Sequence, residues 1–284
     1  MKNGLVNIND YQNLTNSEVY SFLEKGSEDF VRKHLDDLTE YDRKWVANSF
    51  KQWSRKYEYT YVFESIKKKL EPEVPNQSKF NVLDAGSGIT FFPFFCKENL
   101  KIKKVTCLDY DEGYAPVFDK INKHSTNKVE FIKASLTEMP FENSSFDIVY
   151  SVSVIEHTTD PLRIINEIDR VLKPGGMLVL TFDLSLDGSQ QISIDIANRI
   201  IDSLANSNYI SLNEVESLDS SLSVSSHLYT AIEAYKYNPE SLWRSHISLK
   251  GRVYMTLYTL LTRGKIFRFP PRLAFYCGSF LKGA

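Results

Sequence analysis

The stretch Val82-Leu83-Asp84-Ala85-Gly86-Ser87-Gly88 decides the reading of this chain. An apolar run ends in an acidic residue and then in a glycine pair. Such a pair after the first strand of a doubly wound sheet permits a tight turn and lets a ligand lie against bare backbone at the strand's carboxyl end. Alone, a GxG is weak evidence, since a turn without a ligand would look the same. Working outward, VTCLDY (105–110) reads as a second strand ending near Asp109, 23 residues after Gly86, where a carboxylate can accept two hydrogen bonds from a ribose diol. The dinucleotide fingerprint GxGxxG would need a glycine where Phe91 stands, and this bulky ring opposes a pyrophosphate seat and an NAD-dependent oxidoreductase.

The remaining pattern is consistent with this start. FNVLDA (80–85), VTCLDY, VEFIKA (129–134), FDIVYSV (146–152) and MLVLTF (177–182) are apolar runs of strand length. Helical stretches separate them near 91–99, 114–122 and 161–172, the last with Asp160 and Pro161 at its start and PGG (174–176) at its close. Near-continuous apolar strands alternating with helices predict a parallel sheet covered on both faces. Residues 15–70 read as helical, with Val19, Phe22, Leu23, Trp45, Val46, Phe50 and Trp53 recurring at three- or four-residue spacing. The polar, proline-bearing 71–79 reads as a linker. Beyond 183 the signals weaken: 192–204 and 227–237 look helical, and 205–226 is rich in Ser and Asn.

At this point the chain resembles the class I S-adenosylmethionine-dependent methyltransferases, in the branch called methyltransferase type 11. VLDAGSG, the Asp109 that ends the second strand, FIKASLTEMPFENSSFDIVYSVSVIEHTTDP and RVLKPGGMLVLT stand in the family's order over roughly residues 78–183. The resemblance implies an α/β, Rossmann-like class I sheet, mostly parallel and of seven strands. Around it we expect a helical N-terminal cap (1–79), a cofactor-binding core (80–183) and C-terminal additions (184–284) that complete the fold and shape an acceptor pocket. It also implies S-adenosylmethionine as cofactor and S-adenosylhomocysteine as product.

By position, the resemblance sets Asp84, Gly86, Ser87 and Gly88 at the methionine end of the cofactor and Asp109 on its ribose. Tyr110 would lie against the adenine, Ser135 and Leu136 at its amino edge, and Ser151 and Val152 beside the sulfonium. The family commonly has Asp where Ser135 stands, and often a third glycine at Thr90; Thr tolerates positive φ poorly, so this turn is expected to differ. QWSRKYEYTYVFE (52–64) resembles a W-x-R-x-x-E-Y pattern of some members, which would set Arg55, Tyr57 or Tyr59 over the cofactor carboxylate. The competing reading is an aromatic helix packed on the core with Arg55 in solvent.

Methyl transfer from a sulfonium is an in-line displacement, which alignment in a water-poor pocket can accelerate. A hydroxyl acceptor also profits from a base. His157, just past the fourth strand, and Asp183, after the fifth, are the candidates; His157 could equally order its loop, and Glu156 is most simply a packing residue. The expected acceptor is a small molecule, with a sugar or natural-product hydroxyl ahead of nitrogen or carbon. A catalytically silent binding protein on the same fold is the alternative.

Composition bounds these readings. The chain has 284 residues, 42% of them hydrophobic and 25% charged, which excludes a disordered tail or a disulfide-stapled miniature. Cys96, Cys107 and Cys277 have no CxxC spacing, and His34, His124, His227 and His246 have no metal spacing, so no metal is expected. The start has no apolar leader segment, and no run of about 18 apolar residues occurs, which gives a soluble, cytoplasmic expectation. The net charge of −2 conceals a contrast: residues 184–240 carry 2 basic and 8 acidic side chains, residues 241–284 carry 8 basic and none acidic. The tail either packs beside the acidic stretch or is simply solvated, or it faces an anionic membrane or phosphorylated substrate, with Arg263, Lys265, Arg268 and Arg272 among Phe267, Phe269, Phe275 and Tyr276. No basic stripe crosses the core, so nucleic acid is disfavoured.

Overall fold

The computed structural model describes residues 1–42, 48–71, 79–188, 192–223, 227–242, 249–263 and 269–283. Trp45, Val46, His246, Lys265, Phe267, Arg268 and positions 72–78 of the expected linker lie outside the described residues.

The five expected strands are present as β2 (Phe80–Ala85), β3 (Ile102–Asp109), β4 (Glu130–Lys133), β5 (Phe146–Val152) and β6 (Leu172–Ser185). They pair in parallel in the order β4-β3-β2-β5-β6. The chain steps outward from β2 on one side and then returns to build β5 and β6 on the other. The carboxyl ends of β2 and β5, where this direction reverses, are the place where an open sheet of this kind forms its ligand crevice. Pro174-Gly175-Gly176 lies inside β6, where the register against β5 shifts between Phe146↔Leu172 and Ile148↔Met177 and Gly175 takes φ +73°. The helix before it, α7 (Pro161–Val171), is capped by the Asp160 side chain, which accepts the Arg163 N–H at 3.1 Å.

Among the described residues the expected mostly parallel sheet carries nine strands, the additions being short segments at its far edge. β9 (Leu273–Lys282) runs back antiparallel along the whole of β6, from Met177↔Leu281 to Ser185↔Leu273. Two short segments share its far edge: β7 (Tyr209–Ser211) near Lys282, and β1 (Lys2–Leu5) near Cys277, with β8 (Glu214–Val215) parallel to β1. Part of the expected N-terminal cap is thus a strand of the sheet. Short β-type runs without alternation carry no periodic signal, which is why residues 2–5 were not legible. β9 also corrects the reading of the tail, because Phe275 and Tyr276 are buried in the centre of the sheet and face no membrane.

Alternation along the strands divides the core into two layers. Val82, Ile148, Val179 and Phe275 face α4 (Arg55–Leu70), α5 (Phe92–Asn99) and α6 (Ala115–Lys123). Leu83, Val149, Leu178 and Tyr276 face α7 and α8 (Ile194–Asn206). Three further helices, α1 (Ile8–Thr15), α2 (Glu18–Lys33) and α3 (Leu35–Asp42), lie beside the first layer, where Leu23 and Leu38 are buried in the same cluster. Toward the carboxyl terminus follow α9 (Leu218–Ser223), α10 (Ala231–Tyr237) and α11 (Leu249–Arg263). All three cysteines are buried thiols.

Candidate active site

The loop after β2 bends toward β3, with the Gly86 and Ser87 N–H groups both donating to Leu108 O, at 2.8 and 3.1 Å. Gly86 (φ +84°) and Gly88 (φ +51°) take the left-handed conformations that favour glycine, and a Cβ at Gly86 would also strike Val154. Thr90 is not among the positive-φ residues, so the turn departs from a three-glycine loop as expected. Phe91 is buried in the aromatic cluster under α4 and α5, edge-on to Phe50 and Tyr59.

Asp109 closes the loop from the β3 side. Its Oδ2 accepts the Gly88 N–H at 2.9 Å and its Oδ1 the Tyr110 N–H at 2.8 Å. Burial raises its pKa, while the N–H groups of Gly88, Tyr110 and Asp111 oppose the rise. With these N–H groups on it, the carboxylate, which has about four lone-pair sites, still has acceptor capacity for a further donor such as a ribose hydroxyl. The Tyr110 ring beside it is 72% exposed, an apolar face open to a flat ligand. Ser135 is exposed on the next loop, which is tied to the same strand end by Ala134 N–H donating to Asp109 O at 2.9 Å. Its hydroxyl lies 2.8 Å from Thr137 Oγ1, and Leu136 is half-buried. Open glycine backbone, a carboxylate at the strand end and an exposed ring on one rim fit a nucleoside without phosphates. On this rim the residues fit S-adenosylmethionine.

Other expected residues have more interior roles. Asp84 is buried, with Tyr150 Oη donating to its Oδ2 at 3.0 Å; desolvation pushes its pKa up to about 8, while the Tyr150 bond opposes this. Its side chain therefore faces the core and only its backbone borders the loop. Ser151 is buried and donates to Ala85 O at 2.8 Å, tying the ends of β2 and β5 together, and Val152 is half-buried beside it. Tyr57 is turned away from the crevice toward Phe275 and Tyr61, and buried Tyr59 has its hydroxyl 3.2 Å from Ser49 Oγ.

Arg55 is not in solvent. Its side chain is 15% exposed, its Nη1 donates to Glu58 Oε2 at 2.7 Å, and its Nη2 reaches Ser153 O at 3.4 Å. Although burial opposes its charge, Glu58, Tyr59, Asp183 and Glu156 together raise its pKa. Three acidic side chains thus surround one guanidinium at the carboxyl ends of β5 and β6. Glu156 Oε1 accepts the Asp183 N–H at 3.3 Å, while Glu156 Oε2 and Asp183 Oδ1 are buried with no hydrogen-bond partner among the described residues. Burial, then Glu58, pushes Asp183 up to about 7 against the pull of Arg55; burial, then Asp183, raises Glu156 well above its ordinary range. His157, one residue on, is exposed, and desolvation with Arg55 lowers its pKa and favours the neutral ring.

Sequence reasoning missed two contributors. Tyr41 of α3 reaches over the glycine loop, with the Ile89 N–H donating to its Oη at 3.3 Å and its ring edge-on to Tyr114 at 5.6 Å. Only tertiary packing brings α3 there, and no motif marks it. Glu156 was read as a packing residue; its neighbour His157 drew attention through its titration range alone. Among the described residues no group of His, Cys, Asp and Glu could hold a metal.

Residues 83–180 match the family model described as a methyltransferase domain. Three curated relatives are similar to this chain. A tRNA U34 carboxymethyltransferase of Nautilia profundicola is 26% identical over 44% of this chain and 41% of its own. Cycloartenol-C-24-methyltransferase 1 of Oryza sativa subsp. japonica is 30% identical over 52% and 44%. A demethylmenaquinone methyltransferase of Lactococcus lactis is 27% identical over 55% and 59%. The chain thus spans about half the length of the curated relatives it matches. Two solved structures share the fold. A protein assigned as a sarcosine dimethylglycine methyltransferase from Galdieria sulphuraria has TM-score 0.51 and 17% identity over 78% of this chain and 85% of its own. The [4+2]-cyclase SpnF has TM-score 0.50 and 16% identity over 77% and 80%, so the fold alone does not set the chemistry. Family match, strand order and glycine loop agree: the chain carries a class I S-adenosylmethionine-dependent methyltransferase domain of the type 11 branch.

Proposed function

We propose that this protein transfers a methyl group from S-adenosylmethionine to a small-molecule acceptor, at a hydroxyl of a sugar or natural product. The observation that carries the cofactor assignment is Asp109 at the carboxyl end of β3, on a rim that also holds Gly88 and the exposed Tyr110. When bound, the cofactor supplies an electrophilic methyl group on a sulfonium. Gly86, Ser87 and Gly88 line its amino-acid end with backbone, Asp109 accepts its ribose hydroxyls, and Tyr110, Ser135 and Leu136 border its base. Arg55 offers its guanidinium to a carboxylate, held at the crevice by Glu58 and Ser153.

Asp183 receives the acceptor's proton at Oδ1, the buried oxygen with no partner among the described residues. A carboxyl that titrates near neutrality is suited to this work. Glu156 stays protonated beside it, which leaves a single negative charge on the pair. The two carboxyls favour Asp183 over the exposed His157 as base. The relatives name a tRNA, a sterol and a quinone acceptor among themselves, so the hydroxyl assignment rests on this site's chemistry and not on them.

Calorimetric titration with S-adenosylmethionine, S-adenosylhomocysteine and NAD tests the first part. Binding of both sulfur nucleosides that is lost in Asp109→Ala is expected; no binding, or a preference for NAD, overturns the reading. For the base, Asp183→Asn should keep cofactor affinity while abolishing turnover in an acceptor screen. Unchanged turnover with the pH profile intact would remove Asp183 from the chemistry.

A further inference from the structure

The helix α11 leaves large apolar side chains on its exposed face. Leu249, Val253, Tyr254, Leu257, Leu260 and Leu261 are 47% to 85% exposed. At 3.6 residues per turn these six positions fall within an arc of about 140°. Gly251 and Thr256, just beyond the two ends of this arc, are half-buried. A surface helix of a globular domain ordinarily turns its apolar stripe inward. Here these six, with Tyr258 beside them at 49% exposure, are left in water, and a contiguous patch of this kind marks an interaction site.

Charge selects the occupant. No acidic residue follows Glu240, and eight basic residues lie between there and the carboxyl terminus, seven of them from Arg244 to Arg272. A second copy of the chain would bring the same positive charge against itself. Lys250 is exposed on the apolar arc, where its long stem can lie along the stripe and lift its ammonium to a headgroup. Fifteen residues of helix span about 22 Å, short of the ~30 Å hydrocarbon core. No helix among the described residues is long and apolar enough to cross a membrane. Apolar burial combined with basic attraction is the pair of signals that holds a helix in the plane of an interface.

We infer that α11 lays its Leu- and Tyr-bearing face into the surface of an anionic lipid bilayer and docks the protein there. This inference stands apart from the methyl-transfer reading, because no residue of α11 is among those assigned to the cofactor or to the acceptor's proton.

Co-sedimentation of the whole protein with vesicles tests it. Phosphatidylcholine vesicles containing one-third phosphatidylglycerol should retain the protein at low salt and release it at high salt, and pure phosphatidylcholine should retain little. The double variant Leu257→Glu/Leu261→Glu should lower the bound fraction about tenfold or more, since each leucine loses its burial and each glutamate repels the lipid. Ile210→Glu, at an exposed apolar residue of β7, should bind as the parent does. Far-UV circular dichroism and S-adenosylhomocysteine affinity, unchanged in both variants, show that the fold is kept. No retention on anionic vesicles, or equal retention of the double variant, overturns the inference. A dimer in light scattering that the double variant abolishes, with no vesicle binding, overturns it in favour of a second copy.

Discussion

The Glu58 carboxylate, wholly buried on α4, accepts the Ser153 hydroxyl at 2.6 Å through Oε1 and the Arg55 guanidinium at 2.7 Å through Oε2. Ser153 sits just past β5 in a left-handed conformation (φ +48°), with its N–H donating to Thr181 O of β6 at 3.0 Å. One carboxylate thus ties the start of α4 to the crevice. Glu58→Ala leaves the buried Ser153 hydroxyl without its acceptor and strips the guanidinium of its ion-pair partner at 2.7 Å, so that urea unfolding should show a loss of about 3 kcal/mol. Glu58→Gln keeps a hydrogen-bonding oxygen and should lose less.

Asp84 makes stability depend on pH. Its folded pKa, about 8, lies above the ordinary value of 3.8. The native state therefore holds a proton that the unfolded chain releases. The contribution is fully present below pH 3.8 and is lost as the pH rises through about 8. Urea midpoints should fall between pH 5 and pH 9, and Asp84→Asn should flatten the fall. Asp109, Asp183 and Glu156, shifted in the same direction, contribute to the slope that remains. An identical slope in Asp84→Asn would show that Asp84 is ionised in the fold.

Gly26 lies inside α2, where alanine would ordinarily be the better residue by about 1 kcal/mol. A Cβ there would run into the Phe95 ring of α5. Overpacking of this kind costs about 1–3 kcal/mol, so the clash should win and Gly26→Ala should lower the thermal midpoint. A raised midpoint would mean that the ring moves aside freely.

Asn3 holds β1 to the sheet from the inside. Its Nδ2 donates to Ser211 Oγ at 2.6 Å and to Ser279 O at 2.9 Å. Its Oδ1 accepts Tyr61 Oη–H at 2.6 Å and the Ser279 N–H at 3.1 Å. Asn3→Ala strands several buried polar groups at once and should cost about 3 kcal/mol in chemical denaturation. A cost near that of an exposed substitution would show that water enters and replaces the amide.

Legibility followed the range of the interactions. β2, β5, α7 and the glycine loop were readable because apolar runs, caps and φ requirements are local, each visible within a few residues. β1 was not, since its pairing with Gly278's neighbour Cys277 joins the two ends of the chain, and its four residues carry no period. Phe275 and Tyr276 were assigned to the tail's surface for the same reason: nothing local distinguishes a central antiparallel strand from an aromatic tail.

The sequence by itself determined the parallel core, the glycine turn with Asp109 opposite it, and the charge contrast of the last third. Only the tertiary structure decided which side chains meet. It turned Asp84 and Tyr57 inward, drew Arg55, Glu58, Glu156 and Asp183 into one cluster, laid Tyr41 over the loop and left the apolar face of α11 outside. The physical reason is that backbone conformation and hydrophobic period are set by near neighbours, whereas the burial and pairing of a charge depend on residues a hundred positions away.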